Sequence, residues 1–352
     1  MLRGYQDMHR SSLLPIRSLA LLSVFFWSIG LAAEEHVGEV IRLDPRFDTL
    51  IAKDSKIEKL ADGYEWSEGP VWLSSDQALV FSDVPKNVVY RWDTKGQPPR
   101  AFIKPSGDTG LIKGSSGQGS NGLTLDSVGR LVLMQHGDRR VARLEPNGEF
   151  TTLADRFDGK RLNSPNDGAY HANGDLYFTD PPYGLAKGAT DPARELDFSG
   201  VYRLDKSGHV SLLTKELKFP NGLAFSPDGK TLYVANSDFD RPIIMAYPVK
   251  LDGTLGAGKV FADTSELLAA KKPGLPDGLK LDNAGNVFAT GPGGVHVYAS
   301  DGKLLGRIDP KVATANCAWG DDGTTLYLTA DNMLCRIRTL TKGPLEGPKS
   351  TK

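Results

Sequence analysis

Short runs in which apolar and polar residues alternate recur along the chain, and six of them begin alike. They are Glu68-Gly69-Pro70-Val71-Trp72-Leu73, Asn121-Gly122-Leu123-Thr124-Leu125, Asn166-Asp167-Gly168-Ala169-Tyr170, Asn221-Gly222-Leu223-Ala224-Phe225, Asp277-Gly278-Leu279-Lys280-Leu281 and Asn316-Cys317-Ala318-Trp319. A period of two marks a strand with one buried face. After a turn comes a second apolar run: Ala78-Leu79-Val80-Phe81, Leu131-Val132-Leu133-Met134, Leu176-Tyr177-Phe178-Thr179, Leu232-Tyr233-Val234-Ala235, Val287-Phe288-Ala289-Thr290 and Leu326-Tyr327-Leu328-Thr329. A third generally follows, such as Val141-Ala142-Arg143-Leu144. The units are spaced roughly 40 to 55 residues apart. A repeat of that length built only of strands predicts an all-β fold, a six-bladed β-propeller with one four-stranded sheet per unit.

In a propeller the first strand of each blade lines the central channel. The leading residues Glu68, Asn121, Asn166, Asn221, Asp277 and Asn316 are therefore expected around one axis, at one mouth of that channel. Each second strand returns to the same mouth, so the loops that follow it share the rim. Those loops carry Gln135-His136-Gly137-Asp138, Asp180-Pro181-Pro182-Tyr183-Gly184, Asn236-Ser237-Asp238 and Gly291-Pro292-Gly293-Gly294. Loops on a rigid scaffold are where function concentrates. The glycine- and serine-rich stretch 107–120 reads as a mobile connection, and 181–199 is the longest insertion.

Two strand-like runs, Val40-Ile41-Arg42-Leu43 and Ile57-Glu58-Lys59-Leu60, precede the first unit, while the last unit lacks an outer strand. Together they predict that an N-terminal strand closes the last blade and removes the open edges. The propeller is placed at 37–341. The polar tail 342–352, with its Gly and Pro, is expected to fray.

Length alone, 352 residues, would suggest more than one domain. The repeat points to one, because a propeller closes on itself. Ahead of it, Arg3, His9, Arg10 and Arg17 precede an apolar run from Leu19 to Leu31, followed by Ala32-Ala33 and Glu34-Glu35. This is the layout of a secretory signal, so 1–33 is read as a signal peptide and the mature chain as exported and periplasmic. An uncleaved anchor is the competing reading. The run is shorter than the ~20 residues that cross a bilayer, so no stable span is expected after cleavage. Net charge is −1 with no basic block, which argues against nucleic acid as a partner. Cys317 falls on the first strand of its unit and Cys335 on the third. Strands two apart lie about 9–10 Å from one another, beyond the roughly 7 Å a disulfide spans. Two buried free thiols are expected.

Two carboxylates, Glu68 and Asp277, thus converge with up to four amides. Like charges held together force one group to take up a proton. A divalent cation removes that conflict, and an all-oxygen set suits calcium, magnesium or manganese. The plainer account is that Asn-Gly and Asp-Gly are turn dipeptides. Six copies in register weigh against it, since the downstream glycines already serve the turns. There is no G-x-S-x-G elbow and no H-E-x-x-H helix. His136 and Tyr183 stand on the expected rim, each with a plain reading as a loop residue.

The segments E-G-P-V-W (68–72), R-L-N-S-P-N-D-G (161–168), F-P-N-G-L-A-F-S (219–226) and P-D-G-L (276–279) resemble the gluconolactonase family, which includes senescence marker protein (regucalcin). The resemblance covers nearly all of the chain after residue 33. It implies a six-bladed propeller with one catalytic divalent metal, held by Glu68, Asn221 and Asp277, with Asn166 as a further ligand or a substrate contact. Calcium is the first expectation, with manganese, zinc or iron(II) as alternatives. Animal members carry an arginine two residues before that asparagine. Here the position is Ser164, followed by Pro165, as in the bacterial gluconolactonases.

The expected function is metal-dependent opening of a sugar lactone, glucono-δ-lactone or a related aldonolactone. Asp277 is the expected base, and Asn121, Asn166, Ser164, His136 and Tyr183 are the expected substrate contacts. A metal-stabilised binding propeller without hydrolysis and a hydrolase of another ester or lactone are the competing readings. A quinone oxidoreductase would need cations in the pocket, and the six leading positions hold none. The oligomeric state is left open.

Overall fold

The alternating runs pair as antiparallel sheets, one per repeat. The computed structural model describes residues 35–94 and 97–347; the signal-peptide expectation for 1–33 lies outside them. Blade one pairs Ser67–Leu73, Ala78–Asp83, Val88–Asp93 and Arg100–Ile103 in order. Blade two has Ser120–Leu125, Leu131–Gln135, Arg140–Leu144 and Phe150–Ala154, and blade three Gly168–Tyr170, Leu176–Asp180, Gly200–Leu204 and Val210–Thr214. Blade four has Pro220–Phe225, Thr231–Asp238, Arg241–Pro248 and Lys259–Asp263. Blade five runs from Leu279–Leu281 through Val287–Gly291 and Gly294–Tyr298 to Leu304–Asp309. Blade six supplies Thr314–Gly320, Thr325–Ala330 and Met333–Arg338 from the C-terminal side. The first strands touch in the order one to six, and the sixth touches the first. That cyclic order makes the sheets a six-bladed propeller.

The ring closes as expected. Ile57–Asp62 pairs with Met333–Arg338, so both ends of the propeller build blade six, and Glu35–Val37 adds a fifth strand outside it. The other early run takes a different place. Glu39–Arg42 pairs with Leu304–Asp309 and forms the outer edge of blade five.

Between each pair of neighbouring blades lies an apolar layer. Trp72, Leu79, Phe81 and Trp92 of blade one meet Tyr327 and Leu334 of blade six. Trp72 stacks on Tyr327 with ring centroids 5.6 Å apart. Similar layers join the remaining blades around the ring. Each fully buried large side chain contributes about 1.5–3 kcal/mol, so the ring is held by many such terms rather than by one central core. Cys317 and Cys335 are buried free thiols on either side of Leu328.

Two expectations about connections are corrected. The stretch 107–120 is tied down at several points. Asn87 Oδ1 accepts from the amides of Ser106 and Gly107, both at 2.8 Å, and Thr109 Oγ1 donates to Asp138 at 2.6 Å. Nor does the described part of the tail fray. Lys342 O accepts from Asn283 N at 2.8 Å, and Gly343 N donates to Gly323 O at 3.0 Å. Glu346 then accepts from Thr124 Oγ1 at 2.7 Å and Leu125 N at 3.3 Å, on the first strand of blade two. The tail therefore runs from blade six past blade five to blade two, across the end of the axis opposite the leading residues. Its polar sequence serves hydrogen bonds at the axis rather than solvation. Among the described residues, no helix is long and apolar enough to cross a membrane.

Candidate active site

The asparagine-glycine and aspartate-glycine steps do not act as turns. The leading residues sit where strand pairing breaks or has not begun. The ladder of blade one shifts after Glu68, and those of blades two and four shift across Asn121-Gly122 and Asn221-Gly222. Asn166 and Asp277 stand just ahead of their strands. Such bulges re-aim side chains. The freed backbone reaches the next blade instead: Gly122 N donates to Asn166 O at 2.7 Å, and Gly278 N donates to Ala315 O at 2.8 Å. Glycine is required for that approach, because a Cβ at Gly222 would stand 2.3 Å from Asp277 O.

These devices gather Glu68, Asn121, Asn166, Asn221 and Asp277 on the floor of one cavity of about 670 Å³, with His136 and Tyr183 beside them. Asn316 does not line it. It lies beneath, where its Nδ2 donates to Glu68 Oε2 at 3.2 Å and to Asp167 Oδ2 at 3.3 Å. Ser164 is not brought in either. It is fully buried, its hydroxyl donates to Pro181 O at 2.6 Å, and it accepts from Gly184 N at 2.8 Å. Ser164 thus fastens the 181–199 insertion that carries Tyr183, and it does not line the cavity.

The floor is electrostatically frustrated. Glu68 is buried; burial and the nearby Asp167 push its carboxyl up to about 7. Burial pushes Asp277 well above the usual carboxylate range, and Glu68 and Asp167 add to it. Asp277 Oδ1, Asn121 Oδ1, Tyr183 Oη and Thr314 Oγ1 are buried without a hydrogen-bond partner. Below, Lys280 offsets part of the negative charge. Burial alone would lower its pKa, but Asp167 and Glu346 outweigh that and hold it above the ordinary lysine value.

A chain of side chains runs around one side of the floor. His136 meets Gln118 Oε1 through Nδ1 at 3.0 Å and Asn166 Oδ1 through Nε2 at 3.2 Å. Asn166 Nδ2 donates to Asn221 Oδ1. Asn221 Nδ2 donates to Ser237 Oγ at 2.9 Å, and Ser237 Oγ donates to Pro276 O at 2.5 Å, next to Asp277. Burial lowers His136 to about 4, so the ring is neutral near pH 7. A neutral imidazole has one N–H, so one of the two amides facing it offers oxygen and the other NH₂.

Sequence reasoning missed Asp167, Lys280 and Glu346. Lys280 lies on an alternating strand, where a charged residue reads as solvent-facing. Asp167 follows Asn166 directly, and two adjacent polar residues carry no sign of which one turns inward.

The oxygen donors present suit a hard cation. Two carboxylates and three asparagine amides face the floor of one cavity, and one carboxylate oxygen has no hydrogen-bond partner. Among the described residues no group of three or more His, Cys, Asp or Glu is placed so that it could hold a metal ion, so amide oxygens would have to complete such a site.

Residues 66–332 match the SMP-30/gluconolactonase/LRE-like region. The chain is 36% identical over 313 residues to a gluconolactonase of Zymomonas mobilis, covering 87% of this chain and 88% of that one. It is 27% identical over 266 residues to a pentonolactonase of Haloferax volcanii, covering 74% and 80%. Among solved structures, the gluconolactonase of Xanthomonas campestris superposes with a TM-score of 0.76 at 30% identity, covering 88% of this chain and 98% of that one.

Proposed function

The chain belongs to the SMP-30/gluconolactonase/LRE-like family and is a lactonase, and from that premise we propose metal-dependent hydrolysis of a sugar lactone at the carboxylate floor. The observation that carries the metal is the burial of Glu68 and Asp277 against Asp167 with an Asp277 oxygen left unpaired. Glu68, Asn221 and Asp277 would hold the cation, with Asn166 adjacent. A divalent cation bound there supplies Lewis-acid stabilisation of the charge that develops on the lactone carbonyl oxygen. Calcium is the first expectation for this oxygen set, with manganese, zinc or iron(II) as alternatives.

Asp277 acts as the base. Its carboxylate takes a proton from water as the water oxygen attacks the carbonyl carbon. The bond from that carbon to the ring oxygen then breaks, and Asp277 returns the proton to the ring oxygen, leaving the aldonic acid. Asn121, Asn166, His136 and Tyr183 orient the ring hydroxyls. The neutral His136 ring serves as a hydrogen-bonding group, since burial keeps it from acting as a cation. Export to the periplasm is part of the proposal. It rests on the sequence of residues 1–33 and is tested by N-terminal sequencing of the protein from a periplasmic fraction.

The primary test follows acid release from glucono-δ-lactone, corrected for spontaneous opening, after chelation and after adding back each metal. Activity lost on chelation and restored by one ion supports the reading. Full activity in chelator would remove the metal from it.

A further inference from the structure

Above its floor the cavity changes character. The wall is formed by Trp66, Val84, Phe219, Phe239, Leu268 and Leu275, from blades one and four and the connection into blade five. Phe219 stacks on Tyr183 with ring centroids 5.8 Å apart and planes 11° apart, so two aromatic rings line the cavity side by side. Phe239 is 73% exposed at the rim. The polar groups at this level are few, and two are already engaged: Gln118 with His136, Ser237 with Asn221 and Pro276. Thr314 and Lys272 are the remaining polar members of the wall.

A bare sugar lactone carries hydroxyls on most of its ring carbons and uses the floor. It is far smaller than a cavity of about 670 Å³, a size at which pockets bury drug-sized ligands. A second sugar ring could stack on the aromatic residues, but its hydroxyls would face Val84, Leu268 and Leu275, with only Thr314 and Lys272 left to bond. Polar floor and apolar wall together fit an amphiphilic molecule.

Resting on the lactonase reading, we propose that the preferred substrate is a lactone bearing an apolar substituent, an alkyl chain or aryl group, with the lactone carbonyl on the carboxylate floor and the substituent against the Trp66–Phe239–Leu268 wall. Phe239 and Leu268 are then specificity-determining residues.

The test is a series of δ-lactones with alkyl substituents from methyl to heptyl, measured as kcat/KM with the purified protein and its activating metal. Glucono-δ-lactone and a disaccharide-derived aldonolactone serve as references. The expected result is a rise approaching fourfold for each added methylene, the equivalent of the ~0.8 kcal/mol of a buried methylene. The slope should fall in Phe239→Ser and Leu268→Ser, both at exposed or half-buried positions where the fold tolerates a polar residue. A flat or falling series beside normal glucono-δ-lactone turnover overturns this inference and leaves the lactonase reading standing. So does a disaccharide lactone that outperforms every alkyl lactone, or a slope that both variants retain. If no lactone is opened at all, the lactonase reading fails and this inference with it.

Discussion

Asn316 reaches from blade six to Glu68 of blade one, its Nδ2 donating to Glu68 Oε2 at 3.2 Å. The same nitrogen donates to Asp167 Oδ2, so one amide stands between two buried carboxylates and sets the distance at which they coexist.

Removing that amide exposes the conflict it manages. Asn316→Ala leaves two buried carboxylates each short of a donor, at a cost of about 1–3 kcal/mol per unsatisfied group. Asn316→Asp adds a further negative charge and should be worse in chelator. Urea unfolding of both variants, with and without divalent cation, checks the order. The aspartate variant should recover more stability from the cation than the alanine variant does.

The two carboxylates of the floor should show opposite effects on stability and turnover. Asp277→Asn and Glu68→Gln each remove one of a repelling buried set, so the metal-free proteins should melt at or above the wild-type temperature. Turnover should fall about 10²–10⁴-fold for Asp277→Asn, the range lost with a general base. Thermal melts in chelator and in each cation read the first effect, and the upward shift given by the cation should vanish in both variants.

A buried histidine that does not line the cavity predicts acid sensitivity. His296 Nε2 donates to Pro292 O at 3.0 Å, so Nδ1 accepts from the Tyr298 hydroxyl at 3.0 Å, and the ring is held neutral. Burial lowers its pKa from 6.5 to about 4. The unfolded chain therefore binds the proton more tightly than the folded one. The stability from this group is fully present above pH 6.5 and is lost as pH falls from 6.5 through 4. The loss approaches roughly 3 kcal/mol at the acid end. Stability measured from pH 7 to 4.5 should decline less steeply in His296→Gln than in the wild type.

The tail should matter to stability more than its composition suggests. Glu346→Ala strands Thr124 Oγ1 and Leu125 N and removes a negative charge near Lys280. A hydrogen bond to a charged group is worth about 1.5–3 kcal/mol, and these are part-buried, which points to the lower end. A lowered melting temperature with lactone KM within about twofold of wild type is the expected result, since 1.4 kcal/mol would already be a tenfold change. Equal melting temperatures would show the tail to be dispensable.

Much of this was legible in the chain. The first and second strands of each blade could be read because one buried face imposes a period of two, and because each unit repeats the same leading oxygen donor. The closing strand could be read from a surplus at one end and a deficit at the other. The axial charges were not. Lys280 and Asp167 face a channel that exists only once six blades are assembled, so nothing local distinguishes them from surface residues. The setting of Ser164 was hidden for a related reason. Its position in the motif is beside Asn166, yet its hydroxyl is held by Pro181 and Gly184, which only the folded insertion brings to it.

The pairing of Ile57–Asp62 with Met333–Arg338 also sets an order of events in time. A chain made from its N-terminus has this strand ready long before its partner exists, and blades one to five each acquire four consecutive strands in the meantime. Ring closure is thus the last and least local step, the kind that slows folding most. Until it occurs, Met333–Arg338 of blade six lacks its partner strand, and the apolar faces that blades one and six turn to each other, including Trp72 and Tyr327, stay open. The interval between synthesis of residue 62 and of residue 333 is when the chain is most exposed to pairing with its own copies.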